Sequence, residues 1–158
     1  MTTLERAIDA TRQIRDALAS QIVVAREERV FIRQMDVDGL QRRAAQRSIF
    51  NQQIATLQQA LTTDLAQVRQ DLGLDAVTLD ELKERAPALG RTLSSLLAEV
   101  RAAAAALSEL DHLNRLLGRR ALSYVRAHLA VICPKPSAYD RRGGTASDAR
   151  ASTVVRVL

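Results

Sequence analysis

Residues suited to an apolar seam return every three or four positions at the start of the chain: Leu4, Ala7, Ile8, Thr11, Ile14, Leu18, Ile22, Ala25, Ile32 and Met35. Neither Gly nor Pro interrupts them, so the spacing predicts one long amphipathic helix over 4–35. Asp36-Val-Asp-Gly39 then supplies cap and turn residues. A second helix follows on Leu40, Ala44, Phe50, Ile54, Leu57, Leu61, Leu65, Val68 and Leu72, and Gly73 closes it as a C-terminal glycine does. Thr78-Leu-Asp-Glu81 has the spacing of a capping box and opens a short helix that must stop before Pro87. A third main helix is expected to start near Ala88 or Arg91 and to run to about Cys133, where Pro134 and Pro136 end it. That is roughly 60 Å of rod at the rise of an α-helix.

Rods of this length joined by short turns bury their stripes by lying against one another. The expected fold is therefore all-α: an elongated antiparallel hairpin or bundle of three main helices, with a flexible C-terminal tail. The helical domain is expected over 1–133 and the tail over 134–158, where Pro134-Lys-Pro-Ser-Ala-Tyr-Asp-Arg-Arg-Gly-Gly144 abolishes the helical pattern. Thr153 to Leu158 offers a short β-prone run that a partner's sheet edge or a local contact would satisfy.

Composition narrows the core. Phe31, Phe50, Tyr124 and Tyr139 are the chain's only aromatic residues besides its two histidines, and Trp is absent, so packing rests on aliphatic side chains. The formal charge of +5 invites a nucleic-acid reading, but its distribution weakens it. Residues 1–72 carry 10 basic and 9 acidic side chains, residues 73–132 carry 8 and 7, and residues 133–158 carry 5 and 2. The helices are nearly balanced and read as solvated surfaces, so no nucleic-acid partner is expected. No run of about 18 uncharged apolar residues and no basic-then-apolar leader occurs, which predicts a cytoplasmic protein without stable membrane insertion.

Candidate chemistry is sparse. His112 and His128 stand 16 positions apart on one predicted helix, and Cys133 has no second Cys at zinc spacing. The Asp36-x-Asp38-Gly39 run has Gln34 and Ala45 where a calcium loop needs acidic ligands, and is read as a turn. No nucleophile elbow or phosphate loop is present. The expectation is a protein that is not an enzyme and uses no cofactor or metal.

The third main helix carries more apolar surface than one neighbour needs. On a helical wheel Leu110, Leu113, Leu117, Ala121, Tyr124 and Val131 share one side, with Val125 and Ile132 beside them. Leu116 extends one flank and Leu122 and Leu129 the other, an arc of roughly 240° against the ~100° stripe of an ordinary packed helix. Either a further neighbour or a second copy covers it, or it is a groove for a partner. Leu110, Leu113, Leu116, Leu117, Leu122, Val125, Leu129 and Ile132 are the candidate binding residues. Asn114 interrupts the seam and is a candidate for setting its register or packing.

Several segments together resemble the FlgN-type flagellar export chaperones. They are Glu27-Glu28 ahead of Met35-Asp-Val-Asp-Gly-Leu40, then Leu113-Asn-Arg-Leu-Leu117 on a long helix, then Pro136-Ser-Ala-Tyr-Asp-Arg-Arg-Gly143. The resemblance implies a cytoplasmic chaperone for type III flagellar export that shields a C-terminal helical segment of hook-filament junction proteins. It further implies delivery to the cytoplasmic domain of the export-gate protein, with Tyr139 as the docking residue and Asp140 standing where the family commonly has Gly. The free protein is expected to be a monomer or weak homodimer. The competing reading is a structural coiled-coil scaffold that self-associates through the third main helix.

Overall fold

The computed structural model describes residues 2–74 and 77–133, and within them the chain is all-helical. The helices are α1 (Thr3–Gln34), α2 (Val37–Leu72), α3 (Leu79–Arg85) and α4 (Pro87–Ile132). The chain divides into two units, Met1–Ala121 and Leu122–Leu158. The expected tail over 134–158, with its terminal run Thr153 to Leu158, lies outside the described residues.

Capping explains where the helices begin. Thr2 accepts from the Glu5 amide while the Glu5 carboxylate accepts from the Thr2 amide, and Thr78 and Glu81 repeat the exchange at α3. Each box satisfies two backbone donors that the first turn would leave unpaired. The turn between α1 and α2 is tighter than the expected Asp36–Gly39 turn. Met35, expected as the last member of the apolar stripe, instead adopts a left-handed φ of 55°. Its amide bonds Ile32 O at 3.2 Å, and the Asp36 amide bonds Phe31 O at 3.0 Å. Asp36 is already the N-cap of α2, its carboxylate accepting from the Gly39 amide at 2.9 Å. Gly39 therefore lies inside the first turn of α2 rather than in the loop. A Cβ there would come within 2.6 Å of Asp36 and of the Phe31 ring, so the glycine serves close packing.

The second junction also differs from expectation by a residue or more. Pro87 is the first residue of α4, a position where its fixed φ suits the helix and its missing N–H costs nothing. It also forces Ala86 out of the helical region, to φ −139° and ψ 73°, which separates α3 from α4. Gly90 lets the two helices meet, because a Cβ there would stand 2.7 Å from the Leu82 backbone.

Within the first unit, α1 contributes most of the buried side chains. Its turns bury Leu4, Ala7, Ile8, Ala10, Thr11, Ile14, Leu18, Gln21, Ala25 and Ile32, whereas α2 buries only Gly39 and Val68. One apolar cluster joins Leu4 and Ile8 to Val68, Leu82, Leu93 and Leu96. A second joins Ile14, Leu18 and Ala25 to Leu107, with Phe50, Ile54, Leu57 and Leu61 of α2 half-buried against it. Fully burying one such aliphatic side chain is worth about 1.5–3 kcal/mol.

Polar pairs give the directions of the helices. Thr3 bonds Asp71 at 2.9 Å, Arg6 bonds Asp64 at 3.1 Å, and Glu27 pairs with Arg43, so α1 and α2 run antiparallel. Arg43 also lies over the Phe31 ring, 5.7 Å from its centroid. Arg15 bonds Glu99 at 3.3 Å and Arg29 bonds Asn114 at 3.3 Å, so α4 runs parallel to α1. Exposed pairs of this kind add little stability individually. The Asp71 carboxyl is held below its ordinary range by hydrogen bonds from Gln67 and Thr3, with Arg6 nearby. The folded chain thus binds that proton less readily than the unfolded one. Its small contribution to stability is present above the ordinary carboxylate value and fades as pH falls through the folded value.

Three substitutions test these constraints by urea unfolding. Gly90→Ala is expected to cost about 1–3 kcal/mol through the clash with Leu82. Gly118→Ala, with open space around its added methyl, is expected to gain about 0.5–1 kcal/mol. Met35→Gly relieves the left-handed residue and should raise stability by about 1 kcal/mol.

Candidate partner-binding site

The candidate residues of the first unit do not share one environment. Leu110 is half-buried and packs on the cluster of Ile14, Leu18, Ala25 and Leu107. Leu117 is half-buried, while Leu113 and Leu116 are 42% and 40% exposed. Leu113, Leu116 and Leu117 line a cleft of about 300 Å³ together with Arg29, Arg33 and Arg120.

Asn114 is 4% exposed and faces α1. Its Nδ2 donates to the Ala25 carbonyl at 2.7 Å and lies 3.4 Å from Glu28 Oε2, while its Oδ1 accepts from Arg29 Nε at 3.3 Å. The Ala25 carbonyl is a backbone group of α1, so the amide pins one turn of α4 to one turn of its neighbour. Around it, Arg47 of α2 donates to Asp111 at 2.6 Å and to Glu28 at 3.2 Å. Three helices therefore meet in a polar cluster in which Arg47 is paired with both Glu28 and Asp111, while Arg29 reaches only the Asn114 amide. Arg47, Glu28 and Asp111 remain partly wet, with side chains 35%, 22% and 24% exposed, so solvent screens their attraction. Asn114 is legible in the sequence as a break in the apolar seam, whereas Arg29, Arg47 and Asp111 around it are not. The Arg29–Asn114 and Arg47–Asp111 contacts join residues 85 and 64 positions apart along the chain, and no local spacing announces them.

In the second unit, Leu122, Val125, Leu129 and Ile132 are exposed, as are Tyr124 and Val131. Exposure reaches 72% at Ile132 and 79% at Val131. Six large apolar side chains open to solvent within three helical turns exceed the scattered singles normal on a monomer surface. Tyr124 and His128, one turn apart, stack edge to face with centroids 4.2 Å apart. Tyr139 lies outside the described residues.

His112 is exposed and lines a small cleft with Arg115, Leu116 and Arg119, and Cys133 is exposed with a free thiol. Among the described residues no group of three or more His, Cys, Asp or Glu is placed to hold a metal ion. No helix among them is long and apolar enough to cross a membrane. What the arrangement offers chemically is surface: leucines and valines on α4, and arginines beside the Leu113–Leu117 turn.

Compared with known families, the chain matches the family described as FlgN protein over residues 1–147. No curated protein and no solved structure matches it.

Asn114→Leu tests whether the buried amide holds the helices or merely interrupts them. Losing its bond to Ala25 and leaving Arg29 and Glu28 without their partner should cost about 1–3 kcal/mol in urea unfolding. A gain in stability would instead assign the residue to specifying register.

Proposed function

Because the chain belongs to the FlgN family of flagellar export chaperones, whose members bind flagellar proteins as cargo, we propose that it carries hook-filament junction proteins to the export gate. In this reading α1, α2 and α4 are the three main helices of an up-down-up bundle, α2 antiparallel to the other two, that presents α4. A C-terminal amphipathic helix of the cargo lays its apolar face on exposed α4 side chains, as helix-in-groove complexes do. The observation that carries the proposal is the exposure of Leu122, Val125, Leu129 and Ile132. Leu113 and Leu116 offer a further exposed apolar stretch within the first unit. Leu110 contributes less, because it already packs on its own core.

Holding cargo this way needs no chemistry. The protein works stoichiometrically in the bacterial cytoplasm, without ATP or metal, and visits the export apparatus only while handing over its load. Residues 134–158 serve the handover, with Tyr139 docking on the cytoplasmic domain of the gate protein. An aromatic ring fills a partner's pocket while its hydroxyl finds a hydrogen bond, which suits an anchor of this kind.

The same exposed leucines support a second reading, a scaffold that covers them with another copy of itself. Light scattering separates the two: a tight oligomer that persists on dilution favours the scaffold, whereas a monomer or weak dimer leaves the face free for cargo.

Calorimetry with hook-filament junction proteins from the same genome tests the main proposal. Binding is expected at micromolar concentrations or better, and no heat with any of them would sink it. Leu122→Asp/Leu129→Asp alters two exposed side chains, so the helical circular dichroism should persist while affinity falls about tenfold or more. Tyr139→Ala should keep cargo affinity and lose gate-domain binding; equal loss of both would reassign the tyrosine to folding.

A further inference from the structure

The arginines of the first unit fall into two groups. Arg6, Arg12, Arg15, Arg43 and Arg47 each meet a carboxylate. The first unit's other eleven arginines form no ion pair among the described residues, and three of them, Arg29, Arg33 and Arg120, converge on the cleft floored by Leu113, Leu116 and Leu117. No acidic side chain lines that cleft.

Helical spacing builds this arrangement. Leu113, Leu116, Leu117 and Arg120 stand at i, i+3, i+4 and i+7 on α4, and Arg29 and Arg33 stand one turn apart on α1. Leucines thus form a floor with cationic side chains contributed by both helices. Arg29 adds a more specific signal. Its Nε is held on Asn114 Oδ1 at 3.3 Å, yet its Nη2 is buried with no hydrogen-bond partner among the described residues. A buried donor without an acceptor costs free energy, and turning the guanidinium outward onto an arriving carboxylate would recover it. A second cleft, of about 110 Å³, shares Leu116 and is otherwise lined by His112, Arg115 and Arg119, which continues the cationic character along α4.

We infer that this cleft reads acidic residues on a helical partner segment: it takes an amphipathic helix whose leucine-type stripe is flanked by Asp or Glu. The apolar floor decides between kinds of anion. A phosphate backbone would satisfy the arginines but leave Leu113, Leu116 and Leu117 against a charged, hydrated ligand, whereas an acidic amphipathic helix covers both. The inference deepens the cargo-holding proposal and rests on it for the identity of the partner, but the recognition chemistry stands on the cleft alone. It gives the site a selectivity that a bare leucine face lacks, since apolar contact is non-directional and the guanidiniums demand charge at fixed positions.

The test uses the full chain and two synthetic helical peptides with one leucine stripe, flanked by Glu in one and Gln in the other. Titration calorimetry should find the Glu peptide bound about tenfold tighter, an advantage that shrinks with added salt. Arg33→Glu/Arg120→Glu changes two exposed side chains, so the fold should persist by circular dichroism. That variant should lose the preference for Glu and favour a Lys-flanked version of the peptide. Equal binding of the Glu and Gln peptides, or a preference for Glu that survives in the variant, overturns the inference. So does tighter binding of a single-stranded RNA oligonucleotide or of phosphatidylglycerol vesicles that the same variant abolishes. Discrimination between peptides without binding to any hook-filament junction protein would sink the cargo proposal while leaving this one standing.

Discussion

The apolar face of α1 is the contact on which the rest of the first unit depends. It buries side chains from Leu4 to Ile32, and both apolar clusters contain its residues. Neither of the other long helices is buried along its whole length: α2 closes only around Val68 and Gly39, and α4 buries Gly90, Leu93 and Leu96 near its start and then only Leu107 and Asn114. A change in the α1 seam would therefore loosen both neighbours together. The seam is built from Leu, Ile and Ala, whose packing tolerates little change in volume.

Non-directional packing of this kind leaves helices free to slide, and the polar contacts remove that freedom. Asn114 bonds a backbone carbonyl that only one axial position of α1 presents, and Arg47 ties α2 to both Glu28 and Asp111. At the opposite end, Gly90 sets how closely α4 approaches α3. Register is thereby settled by a few groups with geometry, while most of the attraction comes from residues without it.

The consequence for function is a division along α4. Up to Asn114 its inward side chains meet α1, and the helix serves the bundle. Sequence separations of 84–89 between paired residues of α1 and α4 bring the end of α1 level with about Ala121. The residues from Leu122 to Ile132 retain the apolar composition of a packed helix while standing exposed. In the proposed function this aliphatic surface is what the cargo helix covers.

Much of this was legible in the sequence because it is local. Three-to-four spacing foretold the long helices, Thr78 to Glu81 announced its capping box, and the wide apolar arc of α4 marked surface in excess of need. The turns were less legible: with Asp36 and Gly39 in view, nothing local revealed that Met35 would take the left-handed position and free Gly39 to sit under Phe31. The arc itself was too generous an indicator, since it grouped half-buried Leu110 with exposed Leu129. A wheel ranks side chains by angle alone, whereas burial depends on where along its axis a helix meets a neighbour. For the same reason the sequence by itself determined that α4 would be apolar and long, and only the tertiary structure decided which of its turns are core. It also decided where Arg29, Arg33 and Arg120 gather without carboxylates, because their meeting depends on the register between two helices that local periodicity does not encode.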